Sequence, residues 1–227
     1  SFDNSSFIFP ELYRFREEIL NKYNNFIKTA SKAQLEKLFG TKKDEIINSY
    51  KKDIFQSPIM KAILRYEGVA YDYLEYKGLD KNEQKYIDEN VLIFSNLFGV
   101  LKASDEIPDY KLKQGETFDN LKIEKFYCDS ISSKLDEYLK DEDIIDLRAG
   151  FYEKFYQIKK QYTTMKFIKD AKVVSHWAKA YRGIILRLLA QNNIQNIDEL
   201  MSMEIDNLSI EEIKKQKLKT EIIYSIK

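Results

Sequence analysis

Residues Val173–Asn192, VVSHWAKAYRGIILRLLAQN, set the tightest constraint on the fold. Val173–Trp177 is a short run of mostly β-branched and aromatic residues, which predicts a strand. Ile184–Leu189 has apolar residues at Ile184, Ile185, Leu188 and Leu189, which predicts a buried helix. A strand that feeds a helix leaves unpaired N–H groups at the helix start, and these favour anions. The link Ala178–Gly183 adds Lys179 and Arg182, three apart and therefore on one face of a helical turn. The residues alone leave two readings open, a phosphate site and a solvated first turn.

The rest of the chain is rich in core-forming residues. Of 227 residues, 44% are hydrophobic and 14% aromatic, enough for a sizeable core and too much for disorder. Only 7 Gly and 3 Pro are present, which argues against a loop-rich or Gly-cradle architecture. Lys+Arg and Asp+Glu are both 37, so a generally basic nucleic-acid coat is excluded and a local basic face is not. Between Ile158 and Ile197 there are eight basic residues (Lys159, Lys160, Lys166, Lys169, Lys172, Lys179, Arg182, Arg187) against one acid, Asp170. Between Asp198 and Glu212 there are six acids and no base. Such segregation makes a field that a zero total hides, unless the lysines coat different sides of the fold. One cysteine excludes an internal disulfide. No secretory signal and no run of 18 apolar residues is present, so a soluble cytoplasmic protein without membrane contact is expected. The opening SFDNSSFIFP does not read as a natural start, which suggests a missing N-terminal piece.

Helical spacing predicts a helix from Glu11 to about Lys28 after Pro10. Ser31 can cap a helix through Phe39, and Gly40 can end it. Thr41 can cap the next, Lys42 to about Phe55. Ala30–Phe55 is thus helix, tight turn, helix. It can serve as a helix-hairpin-helix that grips DNA phosphates, with Lys37, Lys42 and Lys43 beside the turn, or it is an ordinary αα-corner. Ala62–Tyr66 reads as a strand and Val69–Tyr76 as a helix. Asp80 caps a helix over Lys81–Asn90. Val91–Phe94, Leu97–Leu101 and Tyr110–Gln114 read as strands, with Lys111 and Lys113 on one face of the last. Phe126–Leu139 is an amphipathic helix, Ile144–Leu147 a strand and Phe151–Tyr156 helical. Thr163–Lys169 and Lys172–Trp177 form a hairpin over Asp170-Ala171. A short acidic helix, a Ser209-capped helix and a strand near Glu221–Ile226 close the chain. This order lacks strict βαβ alternation and predicts a single α+β domain over 1–227, one mixed β-sheet surrounded by helices.

Much chemistry is excluded. One His and one Cys cannot make a His/Cys zinc site, and no acidic calcium loop appears. Neither phosphate-cradling glycine motif is present, and no cofactor is expected. Cys128, at the expected helix start, and His176, within the expected strand, can be drawn as a nucleophile–base pair or as two packed residues. Asp141, Glu142 and Asp143 read as a solvated turn. No catalytic residue is assigned.

Five stretches carry a resemblance: AILRYEGVAYDYL (Ala62–Leu74), LFGVLKASDEIPDYKLKQG (Leu97–Gly115), FYCDSISSKL (Phe126–Leu135), IIDLRA (Ile144–Ala149) and SHWAKAYRG (Ser175–Gly183). Their order and spacing, from about Leu12 to Leu200, resemble the YaaA peroxide-stress proteins of bacteria. The resemblance implies one α+β fold with a positively charged slot and a helix-hairpin-helix element. It also implies binding to duplex and distorted DNA, and protection against peroxide by limiting damage from free iron. On it, Lys179, Arg182 and Gly183 match the family's K-x-x-RG, and Lys102 and Lys111 match basic positions of its G-V-L-[RK] and Y-[RK]-L elements. Ala30–Phe55 matches the helix-hairpin-helix region with little identity. Two departures stand out. The opening S-P-A-K or S-P-S-E strand of many members is absent, and Ala149, Gly150, Phe151 and Tyr152 replace a Ser-x-Glu-Tyr.

The leading expectation is a DNA-binding stress protein whose partner is nucleic acid. Its contacts to phosphates are assigned to Lys179, Arg182, Gly183, Lys102, Lys111, Lys113, Arg187, Lys42 and Lys43. Tyr181, Trp177 and Tyr110 can stack on exposed bases or pack in the core, core packing being the expected role of Trp177. A second expectation is an enzyme that holds a phosphate-bearing small molecule or nucleotide with the same cations, which calls for a closed pocket containing Lys179, Arg182, Lys111 and nearby acids such as Asp129. A third is a partner-binding domain that docks through Asp198–Glu212. The sequence leaves the oligomeric state open.

Overall fold

A computed structural model describes residues 2–170 and 172–227. In chain order the elements are α1 (Tyr13–Thr29), α2 (Lys32–Phe39), α3 (Asp44–Tyr50), β1 (Ile59–Lys61), α4 (Ala62–Arg65), α5 (Val69–Leu74), α6 (Lys81–Asn90), β2 (Leu92–Ser95), β3 (Gly99–Lys102) and β4 (Glu106–Pro108). There follow α7 (Ile123–Tyr138), β5 (Ile145–Asp146), β6 (Tyr162–Lys169), β7 (Lys172–Val173), α8 (Ser175–Gln191), α9 (Ile197–Ser202), β8 (Leu208–Lys215) and β9 (Lys219–Ile226). Short 3-10 turns punctuate them. The α+β class expected from the sequence is what the chain adopts.

The residues fall into two compact units. The first holds the chain up to Arg65, Asn90–Lys134 and Arg148–Gln157; the second holds Tyr66–Glu89, Leu135–Leu147 and Ile158–Lys227.

In the first unit α1 buries Ile19, Leu20, Tyr23 and Ile27, the stripe its helical spacing dictates. β2 and β3 form an antiparallel hairpin pairing Leu92 with Lys102 and Ser95 with Gly99. Its turn is held from two sides. The buried Arg16 of α1 donates to the Phe98 and Val100 carbonyls, and Tyr127 Oη of α7 donates to the Leu97 carbonyl. Gly99 is needed there: φ is +72°, and a Cβ would meet the Tyr127 ring at 2.7 Å. α2 begins with a Ser31–Gln34 capping box and ends at Gly40 in the left-handed conformation, as the sequence predicts.

The second unit contains a five-stranded mixed sheet, order β5-β6-β9-β8, with β7 also on β6. β5, β6 and β9 are mutually parallel in that order, while β7 and β8 run antiparallel to their neighbours. One face carries Met165, Phe167, Ile222, Tyr224 and Ile226, and α8 lays Tyr181, Ile185 and Leu189 over them. Phe167 stacks between Tyr181 (5.3 Å) and Tyr224 (5.8 Å). Each large apolar side chain removed from water here contributes about 1.5–3 kcal/mol. α5 covers the other side of α8 at Gly183, where an added Cβ would collide with the Ala70 carbonyl oxygen.

Several expectations are corrected. The sheet is accompanied by two separate two-stranded ladders, β1–β4 and β2–β3. Ala62–Arg65 is a helix, because the Ala62 and Ile63 N–H groups bond to the Asp105 and Ala103 carbonyls and the chain turns off its ladder. Tyr110–Gln114 is not a strand: Tyr23 Oη bonds to the Lys111 carbonyl and the Lys113 N–H to the Leu38 carbonyl, so helices take its backbone groups. Thr41 does not start α3; its hydroxyl accepts from the Lys43 N–H, α3 begins at Asp44 and stops at Tyr50, and a separate 3-10 turn capped by Asp53 carries Ile54–Gln56. Residues after Ser209 form β8, because the strand-favouring Ile222–Tyr224 partner overrides their helix-compatible spacing. Cys128 lies in the second turn of α7, since buried Ile123 and Tyr127 extend the helix backwards.

Candidate nucleic-acid interface

The hairpin β6–β7 and the start of α8 build the candidate surface in the second unit. The antiparallel pairing is short, Ile168 with Val173 and Lys169 with Lys172. Asp170 takes a φ of +50° in the turn, and Ala171, the other expected turn residue, lies outside the described residues. β7 finds only the last residues of β6 to pair with, so Ser175–Trp177 leave the sheet and become the first turn of α8. The expected strand Val173–Trp177 is therefore two residues of strand and the start of a helix. His176 sits in that turn, exposed, and Lys179 and Arg182 lie inside α8, in its second and third turns. The expected free helix start at Ala178–Gly183 moves to Ser175, where Val174 supplies no side-chain cap and the first turn has no acid.

Lys169, Lys172 and Lys179 are exposed, and Arg182 is half-buried on α8. Among the described residues none of the four side chains has a hydrogen-bond or ion-pair partner within 4 Å. Burial pulls the Arg182 guanidinium below its ordinary value, and the nearby Asp146 carboxylate opposes that shift. Trp177 is 41% exposed and Val173 61%. The expected packed Trp177 is thus the outward aromatic. Tyr181 is the buried one, in the stack with Phe167, and Tyr110 is half-buried, bonded to Ser95 at 2.8 Å.

Other basic residues of the same segment have structural partners. Arg187 Nη1 donates to the Leu74 and Glu75 carbonyls and pairs with the Glu75 carboxylate at 3.2 Å, closing the C-terminus of α5. Lys160 Nζ donates to the carbonyls of Leu139, Lys140 and Glu142 beyond α7, and Lys159 pairs with Asp136 at 2.7 Å. Gly183 is buried and serves the packing of α8 on α5.

The remaining assigned residues belong to the first unit. Lys42 and Lys43 are exposed in the α2–α3 turn. Gly40 of that turn backs onto the Lys113 side chain, within 2.8 Å of where its Cβ would be. Lys113 and Lys37 both face Glu116, at 3.5 and 3.7 Å. Lys111 Nζ lies 5.6 Å above the Tyr50 ring, and Lys102 is half-buried, its N–H on the Asp105 carboxylate. Cys128 is in this unit and His176 in the other; Cys128 Sγ contacts Ser132 Oγ at 3.7 Å. Two cavities in the first unit, of about 120 and 380 Å³, are lined by residues such as Asn96, Glu116 and Phe151 or Phe26, Leu38 and Asn120; of the candidate cations only Lys37, beside the turn, lines either. Among the described residues no cluster of three or more His, Cys, Asp or Glu is placed to hold a metal, and no helix is long and apolar enough to cross a membrane.

Lys169 and Lys172 belong to the basic stretch Lys159–Arg187 on which the DNA reading rests, but the sequence alone does not single them out as contacts. Their signal was a lysine on each side of a tight turn, which places both at a hairpin tip. Lysines at a tip near an uncapped helix start can bind several phosphates in a row, and an exposed indole such as Trp177 can stack on an unpaired base.

Comparison with known proteins agrees with the resemblance read from the sequence. A family model described as peroxide stress protein YaaA matches residues 2–214. An uncharacterised protein of Campylobacter jejuni is 51% identical over 224 residues, covering 99% of this chain and 91% of its own length. A UPF0246 protein of Finegoldia magna is 28% identical over 221 residues, covering 91% of this chain and 88% of its own. One of Corynebacterium glutamicum is 34% identical over 158 residues, covering 65% and 62%.

Proposed function

The chain belongs to the peroxide stress protein YaaA family, and on that premise we propose that it acts in peroxide stress by binding DNA phosphates, limiting the damage that peroxide and iron inflict. The observation that carries the reading is the set of unpaired cations at the β6–β7 hairpin and in the early turns of α8, Lys169, Lys172, Lys179 and Arg182, together with the uncapped start of α8, whose first turn also exposes Trp177. Their open setting favours a polymeric anion over a small enclosed substrate. Contacts of this kind are to phosphates and are sequence-independent; they release counterions, so affinity falls steeply with salt. Lys42 and Lys43 offer further exposed charge in the first unit.

Gel-shift titrations of duplex and bubble DNA at several salt concentrations test this. Lys179→Ala with Arg182→Ala, and separately Lys169→Ala with Lys172→Ala, are expected to weaken binding roughly tenfold or more. Each pair is also expected to flatten the slope of log K against log salt by about 0.9 for each phosphate left without its cation. Unchanged affinity in both variants would remove the site.

A further inference from the structure

Among the described residues, the mixed sheet of the second unit ends in an edge strand with one side unpaired. β8 pairs with β9 on one side and with no described strand on the other. Seven of its eight residues are exposed, and Ile210 and Ile213 remain 42% and 41% accessible, unusual for isoleucines in a strand. Hydrogen bonds in an antiparallel ladder alternate between the two sides of each strand. The Gln216 N–H bonds to the Lys219 carbonyl, and Lys215, Lys214, Ile213 and Glu212 pair in unbroken register with Thr220, Glu221, Ile222 and Ile223. Glu212 and Lys214 therefore spend their backbone groups on β9, while Ile213 and Lys215 turn theirs outward.

The sequence along this edge is Ile210-Glu211-Glu212-Ile213-Lys214-Lys215. It is its own complement when read in the opposite direction. If two copies meet antiparallel about Ile213, Ile213 faces Ile213. Glu212 then faces Lys214 of the other copy, a pair that occurs twice, and Glu211, the extra residue of the bulge, comes toward Lys215 at each end. A parallel, in-register meeting would set Glu on Glu and Lys on Lys, so the charges select the antiparallel one. Centring on Ile213 also brings outward N–H and C=O groups against each other, the pairing an open edge invites. The bulge between Ile210 and Glu212 limits the regular ladder to the charged half of the strand. In the single chain Lys214 settles for Glu212 on its own strand, 3.3 Å away and half-exposed. We infer that the outer edge of β8 is a self-association surface, joining two copies of this chain antiparallel about Ile213 into one continuous sheet.

Sedimentation equilibrium over a range from about 1 to 500 µM reads the association directly, the interval in which a short ladder of this size would bind. Two charge-reversed proteins accompany the wild type: Glu211→Lys with Glu212→Lys, and Lys214→Glu with Lys215→Glu. Circular dichroism and thermal unfolding verify that both are folded. Wild type is expected to associate reversibly, and each variant alone to associate at least about tenfold more weakly, because every opposite pair becomes a like pair. An equimolar mixture of the two is expected to recover wild-type association. A wild type that stays monomeric throughout, a folded variant that associates as well as wild type, or a mixture of folded variants that fails to recover would each overturn the inference.

Discussion

The α2–α3 turn of the first unit and the β6–β7 hairpin of the second both gather lysines around a tight turn, and they differ in how many of them the fold engages. At the first, Lys113 lies along Gly40 and shares Glu116 with Lys37, and Lys111 rests over the Tyr50 ring. At the second, Lys169, Lys172 and Lys179 are exposed with no side-chain partner among the described residues. Charge density along a chain thus measures supply. Availability depends on what the fold places opposite each cation. The same contrast runs along one helix, α8, where Lys179 near its start is unpaired and Arg187, two turns on, closes α5.

The strongest way to break the comparison is to remove the platform under the unpaired set. Gly183 touches α5 so closely that Gly183→Ala has no room against the Ala70 carbonyl. Backbone cannot yield as a side-chain end can, so the cost is expected at about 3 kcal/mol or more, read as a shift in the urea midpoint. The same change at Gly68, where a Cβ would meet nothing within 4 Å, lacks the clash and carries only the strain of a φ of +125°. If Gly183→Ala unfolds no earlier than wild type, α8 is not held by this contact.

Trp177 gives the next effect. On the DNA-binding proposal, Trp177→Ala is expected to weaken binding about tenfold on DNA with unpaired bases and much less on plain duplex, since stacking acts only where a base is free. The stability loss should be smaller than for a fully buried ring, because 41% of the residue is exposed. Tyr181→Ala should do the reverse, costing about 3 kcal/mol or more by emptying the stack on Phe167. Equal losses on both DNA forms would make Trp177 a scaffold residue.

These residues also show what a sequence can and cannot disclose. The Ser31 cap, the Gly40 stop, the Asp80 cap and the β2–β3 hairpin were readable because each depends on groups a few residues apart. The swap between Trp177 and Tyr181 was not readable. Two aromatics four apart share one face of a helix, so which of them covers the sheet depends on where along α8 the strands lie beneath it, and that depends on how soon the chain leaves β7. β8 failed for a similar reason: isoleucines three apart suit a helix, and only the distant Ile222–Tyr224 strand decides otherwise. At the candidate site the cations could be counted in advance, but Arg187 and Lys160 could not be set aside, because their acceptors are backbone carbonyls from other segments.

The smallest effect is the most discriminating. The Glu116 carboxylate faces both Lys37 and Lys113, at distances that mark loose ion pairs rather than short hydrogen-bonded ones. Both lysine side chains are more than half exposed, so each pair stabilises the fold by at most a few tenths of a kcal/mol to about 1. Glu116→Gln should therefore leave the unfolding midpoint nearly unchanged. It does remove the charge that neutralises two lysines beside the α2–α3 turn, where Lys42 and Lys43 are already exposed. If occupancy by Glu116 is what sets this turn apart from the β6–β7 hairpin, the variant should bind DNA about two- to threefold more tightly at low salt, with the gain vanishing as salt screens it. The corresponding change at Asp136, which pairs with Lys159 in the second unit, provides the control, since it frees one lysine instead of two. No gain from Glu116→Gln would mean that the first turn is kept from DNA by the packing of Lys113 on Gly40 and not by charge.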